Sequence, residues 1–361
     1  MSSSRLDTIR KIWQANADAY LVFKPEYIEN RDIEYATGFR GGTAVLFQTR
    51  QKTYLITDPR YSGRNDGAHH GIHRITVRGA SFTRELQRLV GRHVLRRIAV
   101  ESYTPFGFVE RLRTENPETA FSAIRGVIAH VRAIKTQREI ELVRTAQAIT
   151  DALFRWILRR VAKAPTERDL TQVIEREALR RGASLAFPSI VAFGKHTAIP
   201  HHEPTACRVS HCGPLLLDFG LRYKGYCSDL TRTVWVGKKP TVRFKHAYAV
   251  TLAAQEKAIA ACRFRGTQSA DAIDAAARSI IDASEFRGCF THSAGHGVGM
   301  DVHEEPTLSS RAESIVQKNE TVTIEPGIYL AGKFGIRIED IVVTGSGTVL
   351  THAPKQLIEV R

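Results

Sequence analysis

Before the segment Ala133–Thr136 the hydrophobic pattern is mixed. Short apolar runs at Tyr20–Phe23, Thr43–Phe47, Lys52–Thr57 and Ile98–Glu101 predict strands, and helical spacing around Ser81–Arg92 and Phe106–Arg113 predicts helices. Strands and helices interleaved in this way predict one compact α/β domain over residues 1–133. At Thr136 the pattern changes to a long amphipathic helix. Thr136-Gln137-Arg138-Glu139 has the form of a capping box, and Leu142, Ala146, Ile149, Leu153 and Ile157 follow at helical spacing. A second domain over residues 134–361 is therefore expected.

Within that second domain the order of elements repeats. A helix over about Thr166–Arg181, ended by Gly182, is followed by a His- and Pro-rich loop and strands at Leu215–Phe219 and Tyr226–Val236. Helices over about Pro240–Cys262 and Gln268–Ser284 come next, then strands at Thr321–Glu325 and Gly335–Val343. Two helices and a carboxylate-bearing strand pair occur twice, which predicts an internally duplicated, pseudo-symmetric α+β domain with a sheet face lined by acids.

Composition narrows the function classes without choosing one. The 361 residues are 43% hydrophobic, enough for two cored domains rather than a small stapled scaffold. No apolar run reaches the roughly 18 residues of a membrane span, and Met1–Ala15 mixes Arg5, Asp7, Arg10 and Lys11 with apolar residues instead of forming a signal-peptide core, so a cytoplasmic protein is expected. Five sparse cysteines, Cys207, Cys212, Cys227, Cys262 and Cys289, suit reduced thiols; Cys207 and Cys212 lack the second pair of a zinc knuckle. The formal charge of +15 would attract polyanions, but it is spread along the chain. Its densest stretch, Arg84–Arg97, alternates bases with Leu86, Leu89 and Val90 as a solvated helix face does.

The acids carry more information. Asp218 ends the apolar run Leu215-Leu216-Leu217, and Asp229 sits in the returning strand Tyr226-Cys227-Ser228-Asp229. A turn at Tyr223-Lys224, with Gly225 relieving its exit, would set the two acids directly opposite each other on one face. Opposed Cβ atoms lie about 4.5–5.5 Å apart, so two carboxylates there require a cation between them. Glu325 closes Thr321-Val322-Thr323-Ile324, and Glu339 ends Gly335-Ile336-Arg337-Ile338 beyond an intervening loop. Four acids in apolar strand surroundings are seldom all solvated. His296, in Gly295-His296-Gly297-Val298-Gly299, has glycines that let the backbone approach closely; the context lacks the Lys-Ser/Thr of a phosphate loop. Four carboxylates and an imidazole favour Mn²⁺, Co²⁺, Fe²⁺ or Zn²⁺, and two such ions about 3.5–4 Å apart could activate water and polarise a carbonyl.

Taken together, these segments resemble the pita-bread metallopeptidases, the family of methionine aminopeptidase, aminopeptidase P and prolidase, over nearly the whole chain. The resemblance rests on Leu217-Asp218-Phe219-Gly220, Ser228-Asp229-Leu230-Thr231-Arg232-Thr233, Gly295-His296-Gly297-Val298-Gly299, Glu325-Pro326-Gly327-Ile328-Tyr329 and Arg337-Ile338-Glu339-Asp340. It implies a pita-bread catalytic domain behind a smaller N-terminal α/β domain, and the ligand set Asp218, Asp229, His296, Glu325 and Glu339 for two divalent ions, manganese ahead of cobalt, zinc or iron. The added N-terminal domain, Tyr35-Ala36-Thr37-Gly38-Phe39, Thr57-Asp58-Pro59-Arg60-Tyr61 and Arg337 resemble the Xaa-Pro branch.

That branch implies hydrolysis of the Xaa-Pro bond at the N-terminus of peptides, by a homodimer acting on substrates with proline in second position. By the same resemblance His201 and His303 contact the intermediate, with neighbouring His202 a rival for the first role; Glu325 would handle a proton, and Arg337, two residues from Glu339 and so on its strand face, would orient acids or help bind substrate. The segment after His201 departs from many relatives, His202 and Glu203 replacing small residues. A prolidase acting on dipeptides is the near alternative. A fold relative without catalysis, binding peptide or nucleic acid, is the alternative from another class, and a metal-free creatinase-like hydrolase would leave Asp218 and Asp229 without a cation. Because the positive charge is spread and no aromatic-interleaved basic motif accompanies it, nucleic acid is expected to bind only in the non-specific range of about 10⁻⁴–10⁻⁶ M. Filter binding at physiological salt checks this; submicromolar affinity would favour the binding-module reading.

Overall fold

The computed structural model describes residues 2–28, 30–64, 66, 71–78, 82–161, 166–209 and 212–360. They divide into two compact units, Met1–Arg132 and Ala133–Arg361. Among them no helix is long and apolar enough to cross a membrane.

The first unit is built on a six-stranded mixed sheet in the order Ile72–Thr76, Thr53–Thr57, Ala44–Thr49, Ala19–Lys24, Arg97–Glu101, Ala120–Ile124. The four central strands have the continuous apolar runs of strands covered on both faces, and their side chains are almost all buried. The two edge strands escape the sequence pattern. Ile72-His73-Arg74-Ile75-Thr76 and Ala120-Phe121-Ser122-Ala123-Ile124 are half exposed, so neither needs a regular apolar alternation. The helix Ser2–Trp13, also not anticipated, buries Leu6, Ile9 and Trp13 on one face. The predicted helix around Ser81–Arg92 appears as Phe82–His93; Ser81 lies outside the described residues.

The second unit carries the expected duplication. Helices Gln137–Leu158 and Glu167–Arg180 pack with strand Cys212–Asp218 and strand Thr231–Gly237 around a core that includes Phe154, Leu170, Leu215, Leu217 and Val234. Helices Val242–Ala261 and Ala270–Asp282 do the same with strands Thr321–Ile324 and Asp340–Val343 around Phe244, Ile273, Val322 and Val342. The capping box at Thr136 forms both of its hydrogen bonds. Thr241 caps the third helix, which therefore starts at Val242 rather than Pro240.

Each half contributes one long hairpin, and both hairpins bend. In the first, Cys212–Asp218 pairs with Thr231–Gly237, placing Asp218 opposite Thr231, and Leu221–Tyr223 pairs with Tyr226–Cys227, placing Tyr223 opposite Tyr226. One register runs through both stretches, closed by Lys224-Gly225 at φ 48° and 87°. This is the positive-φ pair that a two-residue type I′ turn requires, and glycine takes its second position at no steric cost. The turn is thus one residue later than the sequence suggested, which corrects the expected facing of Asp218 and Asp229. Asp229 lies two residues along the strand from Asp218's partner, so the acids share a face as diagonal neighbours.

In the second hairpin, Thr321–Ile324 pairs with Asp340–Val343, and Gly327–Leu330 with Phe334–Arg337. Ile324 faces Asp340 and Gly327 faces Arg337, so the register continues across the bend. What reads as a loop between Glu325 and Glu339 is the far half of this hairpin, its apolar alternation interrupted by Pro326, Gly332 and Gly335. The acids accordingly sit where four short sheets meet rather than along one sheet face.

Arg232 ties the hairpins together. Its guanidinium, 1% exposed, bonds Asp340 Oδ1 at 2.7 Å and the carbonyls of Glu339, Ala353 and Pro354 at 2.5, 2.9 and 2.9 Å. Burial alone would raise the Asp340 carboxyl, but Arg232 and Lys355 beside it hold it below the usual carboxylate range. Replacing Arg232 with Met would leave Asp340 buried without its guanidinium and is expected to cost about 3–5 kcal/mol. Urea denaturation monitored by a probe confined to the second unit checks this, with a lowered midpoint expected.

Candidate metal centre

All four acids stand at the ends or interruptions of strand pairing. Asp218 ends its strand, Glu325 follows Ile324, and Asp229 and Glu339 fall in the gaps between the two halves of the returning strands. The chain can bend there because neighbouring positions allow close approach. A Cβ on Gly220 would lie 2.1 Å from the Ser228 carbonyl oxygen, and one on Gly295 would lie 1.9 Å from that of Thr323. Substituting Gly220 would force the arms of the first hairpin apart, and substituting Gly295 would push strand Gly295–Gly297 away from Thr321–Ile324. His296 is delivered by strand Gly295–Gly297, which pairs with Thr321–Ile324 and so runs beside Glu325.

The side chains converge. Asp229, His296 and Glu339 bring ligand atoms within 4.8 Å of one another, and His296 Nε2 lies 3.3 Å from Glu325 Oε1 and 3.8 Å from Asp229 Oδ2. Asp218 joins through Arg337, whose Nη2 donates to Asp218 Oδ2 at 2.5 Å. Arg337 Nε also donates to Thr231 Oγ1 at 3.0 Å, and that hydroxyl donates to Glu339 Oε2 at 2.6 Å. One guanidinium thus orders acids on both hairpins. Burial first, and then the charge of the neighbouring acids, push the Asp229 and Glu339 carboxyls well above the usual range.

Three observations fit this pocket to divalent cations. Among the described residues, Asp218 Oδ1 and Asp229 Oδ1 are buried without a hydrogen-bond partner, an arrangement that is costly unless something cationic meets them. His296 Nδ1 lies 3.0 Å from the Gly297 carbonyl, which fixes the proton on Nδ1 and leaves the Nε2 lone pair facing the acids. Burial holds the His296 imidazole below its ordinary value, hence neutral and able to ligate.

Around this set lie the other histidines. The His303 ring is 4.2 Å from the His296 ring, centre to centre, edge to face. His201 is exposed. Its neighbour His202 is 8% exposed and turned away into a hydrogen bond with Glu167. His292 and Tyr329 were not singled out from sequence. His292 Nε2 lies 2.8 Å from the Tyr329 hydroxyl, which also accepts from Arg337 Nη1 at 2.8 Å; burial pushes the Tyr329 phenol up to about 12. Tyr329 could have been noticed from its place in Glu325-Pro326-Gly327-Ile328-Tyr329, whereas His292 carries no comparable local signal.

Residues 141–346 match metallopeptidase family M24, and residues 5–134 match the creatinase/prolidase N-terminal domain. The chain belongs to metallopeptidase family M24. It is 34% identical to the Xaa-Pro dipeptidase of Pyrococcus horikoshii over 94% of each chain. Among solved structures it resembles an Xaa-Pro dipeptidase from Bacillus anthracis (TM-score 0.90, 28% identity, 99% of this chain and 100% of that one). It also resembles an X-Pro aminopeptidase from Thermotoga maritima (TM-score 0.85, 30% identity, 95% and 98%). As an M24 metallopeptidase it is a peptide hydrolase that uses divalent metal ions, with a pita-bread catalytic domain behind the N-terminal domain.

Asp229→Asn separates the cost of the acids from their use. The variant is expected to lose metal affinity by more than about 100-fold, beyond the loss typical of an outer-shell residue. With chelator present its melting temperature should equal or exceed that of the parent, because one buried like charge is gone. Metal analysis after dialysis and paired melts with and without added Mn²⁺ check both signs; full metal retention would remove Asp229 from the ligand set.

Proposed function

We propose that this M24 peptidase is an Xaa-Pro aminopeptidase that removes the N-terminal residue preceding a proline in second position, with Asp218, Asp229, His296, Glu325 and Glu339 holding two divalent ions. Support for the specificity comes from the nearly full-length likeness, N-terminal domain included, to proteins named for Xaa-Pro hydrolysis. Support for the ligand set comes from the pair of buried, unpartnered aspartate oxygens beside an imidazole in its ligating tautomer. The oxygen-rich donor set favours manganese over thiophilic ions. A homodimer belongs to the proposal on the family resemblance alone.

When bound, the cations lower the pKa of water and polarise the scissile carbonyl. The chain's own groups do the rest. Glu325, its Oε1 3.2 Å from the Thr323 hydroxyl that steadies it, is placed to take the proton of the attacking water and pass it to the leaving proline nitrogen. His303, beside His296, and exposed His201 donate hydrogen bonds to the oxygen that gains charge in the tetrahedral intermediate. Arg337 fixes Asp218 and the Tyr329 hydroxyl, and through that hydroxyl it reaches His292. A dipeptidase would run the same chemistry, so substrate length separates the two names.

Assaying Xaa-Pro dipeptides beside Xaa-Pro-Yaa tripeptides, with Mn²⁺, Co²⁺ and Zn²⁺ added in turn, tests the proposal. Faster turnover of the tripeptide is expected, and activity on dipeptides alone would make the enzyme a prolidase. His303→Ala should keep its metal while kcat falls roughly a hundredfold to a thousandfold, the range of about 2.7–4 kcal/mol for one oxyanion donor. Metal content and kinetics on one preparation decide; loss of an ion would make His303 a ligand, and an unchanged kcat would make it a bystander.

A further inference from the structure

The segment carrying His201 has no regular secondary structure between Ile199 and Cys207, yet its neighbours hold it tightly. Beneath it lies the carboxylate of Glu167, fully buried at the first position of helix Glu167–Arg180. Among the described residues, five hydrogen bonds reach that carboxylate, all from Phe193 to Thr205. Oε1 accepts from the Phe193 N–H at 2.7 Å and faces His196 Nδ1 at 2.9 Å. Oε2 faces His202 Nε2 at 2.9 Å and accepts from the Thr205 N–H at 3.0 Å and the Thr205 hydroxyl at 2.7 Å. Burial would raise the Glu167 carboxyl, but these bonds outweigh it and hold it below its ordinary value, so it is ionised.

The backbone completes the clamp. The Glu167 N–H donates to the Cys207 carbonyl and the Arg168 N–H to that of Thr205, at 3.0 and 3.1 Å. On the opposite side, Thr197 Oγ1 accepts from the Gly335 N–H at 2.8 Å, and Arg337 Nη1 donates to the Pro200 carbonyl at 3.3 Å. His202 is drawn inward by Glu167, and its neighbour His201 is the residue left facing outward.

We propose that Glu167 is a positioning residue for the reaction: it staples the Phe193–Thr205 segment through His202, His196 and Thr205 and so fixes where His201 meets the substrate. The proposal rests on the reading of His201 as a group that contacts the intermediate. Glu167, His196 and Cys207 also bring ligand atoms within 4.8 Å of one another. Both carboxylate oxygens there are already filled by donors in fixed geometry, however, which makes the cluster a staple and not a second metal cage.

Glu167→Gln keeps the shape but puts an amide nitrogen where one set of donors expects an oxygen. It should lower kcat by about 10–100-fold, the range for outer-shell partners, with KM and metal content little changed. The deciding measurement is a double-mutant cycle with His201→Ala. If Glu167 acts through His201, the double variant is no slower than His201→Ala alone; if the two losses multiply, the positioning role is overturned while that of His201 stands. A His201→Ala variant with parental kcat would instead overturn the reading of His201, and the staple proposal with it. Should Glu167→Gln fail to fold, His202 serves in its place. His202→Gln, which keeps a donor near the position of Nε2, should recover most of the kcat that His202→Leu loses, and equal losses in the two would count against the staple.

Discussion

Everything in the second unit answers to one electrostatic constraint, the confinement of Asp218, Asp229, Glu325 and Glu339 in a common buried pocket. Like charges a few ångströms apart in a medium of reduced dielectric repel by several kcal/mol even after screening, more than any local packing gain returns. The fold meets this with fixed positive character. Arg337 touches Asp218 and steadies Glu339 through Thr231, and Asp218 and Asp229 each keep an oxygen with no hydrogen-bond partner among the described residues, where a cation would fit.

Duplication is what brings the acids together without using up the core. Each half has its own apolar core, so the seam between the hairpins is free to be polar. Thr231, Arg232, Thr233, Arg337, Glu339 and Asp340 line that seam, all nearly inaccessible, and each bonds across from one hairpin to the other. Arg232 and Arg337 project from different strands toward opposite sides of it, one serving the scaffold acid Asp340 and the other the site acid Asp218. Two adjacent acids, Glu339 in the gap and Asp340 opening the next strand, are thereby given unlike environments: burial and neighbouring acids raise the first, and flanking cations lower the second.

Much of this was legible in the sequence because its signals were local. The capping pair Thr136 and Glu139, the repeat of two helices and two strands, and the acids set in apolar runs each depend on a few neighbouring residues. Register was harder to read. Moving the turn from Tyr223-Lys224 to Lys224-Gly225 changes which residue faces Asp218, and only the backbone preference of Gly225 for positive φ distinguishes the two. The far half of the second hairpin was hidden because Pro326 and Gly332 read as loop formers, although the first stands at the bend and the second in the turn. Edge strands such as Ile72–Thr76 carry no apolar alternation, since solvent takes the place of a packed layer on one side. His292 was missed for a different reason: its importance lies in meeting Tyr329 and Arg337, residues far along the chain, and no spacing rule encodes that.

Proton and cation emerge as alternative occupants of the same oxygens. In the folded chain Asp229 and Glu339 bind protons more tightly than they would when unfolded, because burial and neighbouring acids penalise their charge. Without metal, protonation therefore stabilises the fold, and that contribution fades as pH rises through the raised folded pKa values. Metal binding at the proposed ligand set would reverse the dependence: ligation requires the ionised form and releases those protons, so cations would gain hold as pH rises over the same window. A pocket that is least comfortable when empty of both would have the most to gain from a divalent ion, and on the proposed ligand set the strain of assembling four acids would become affinity for the metals.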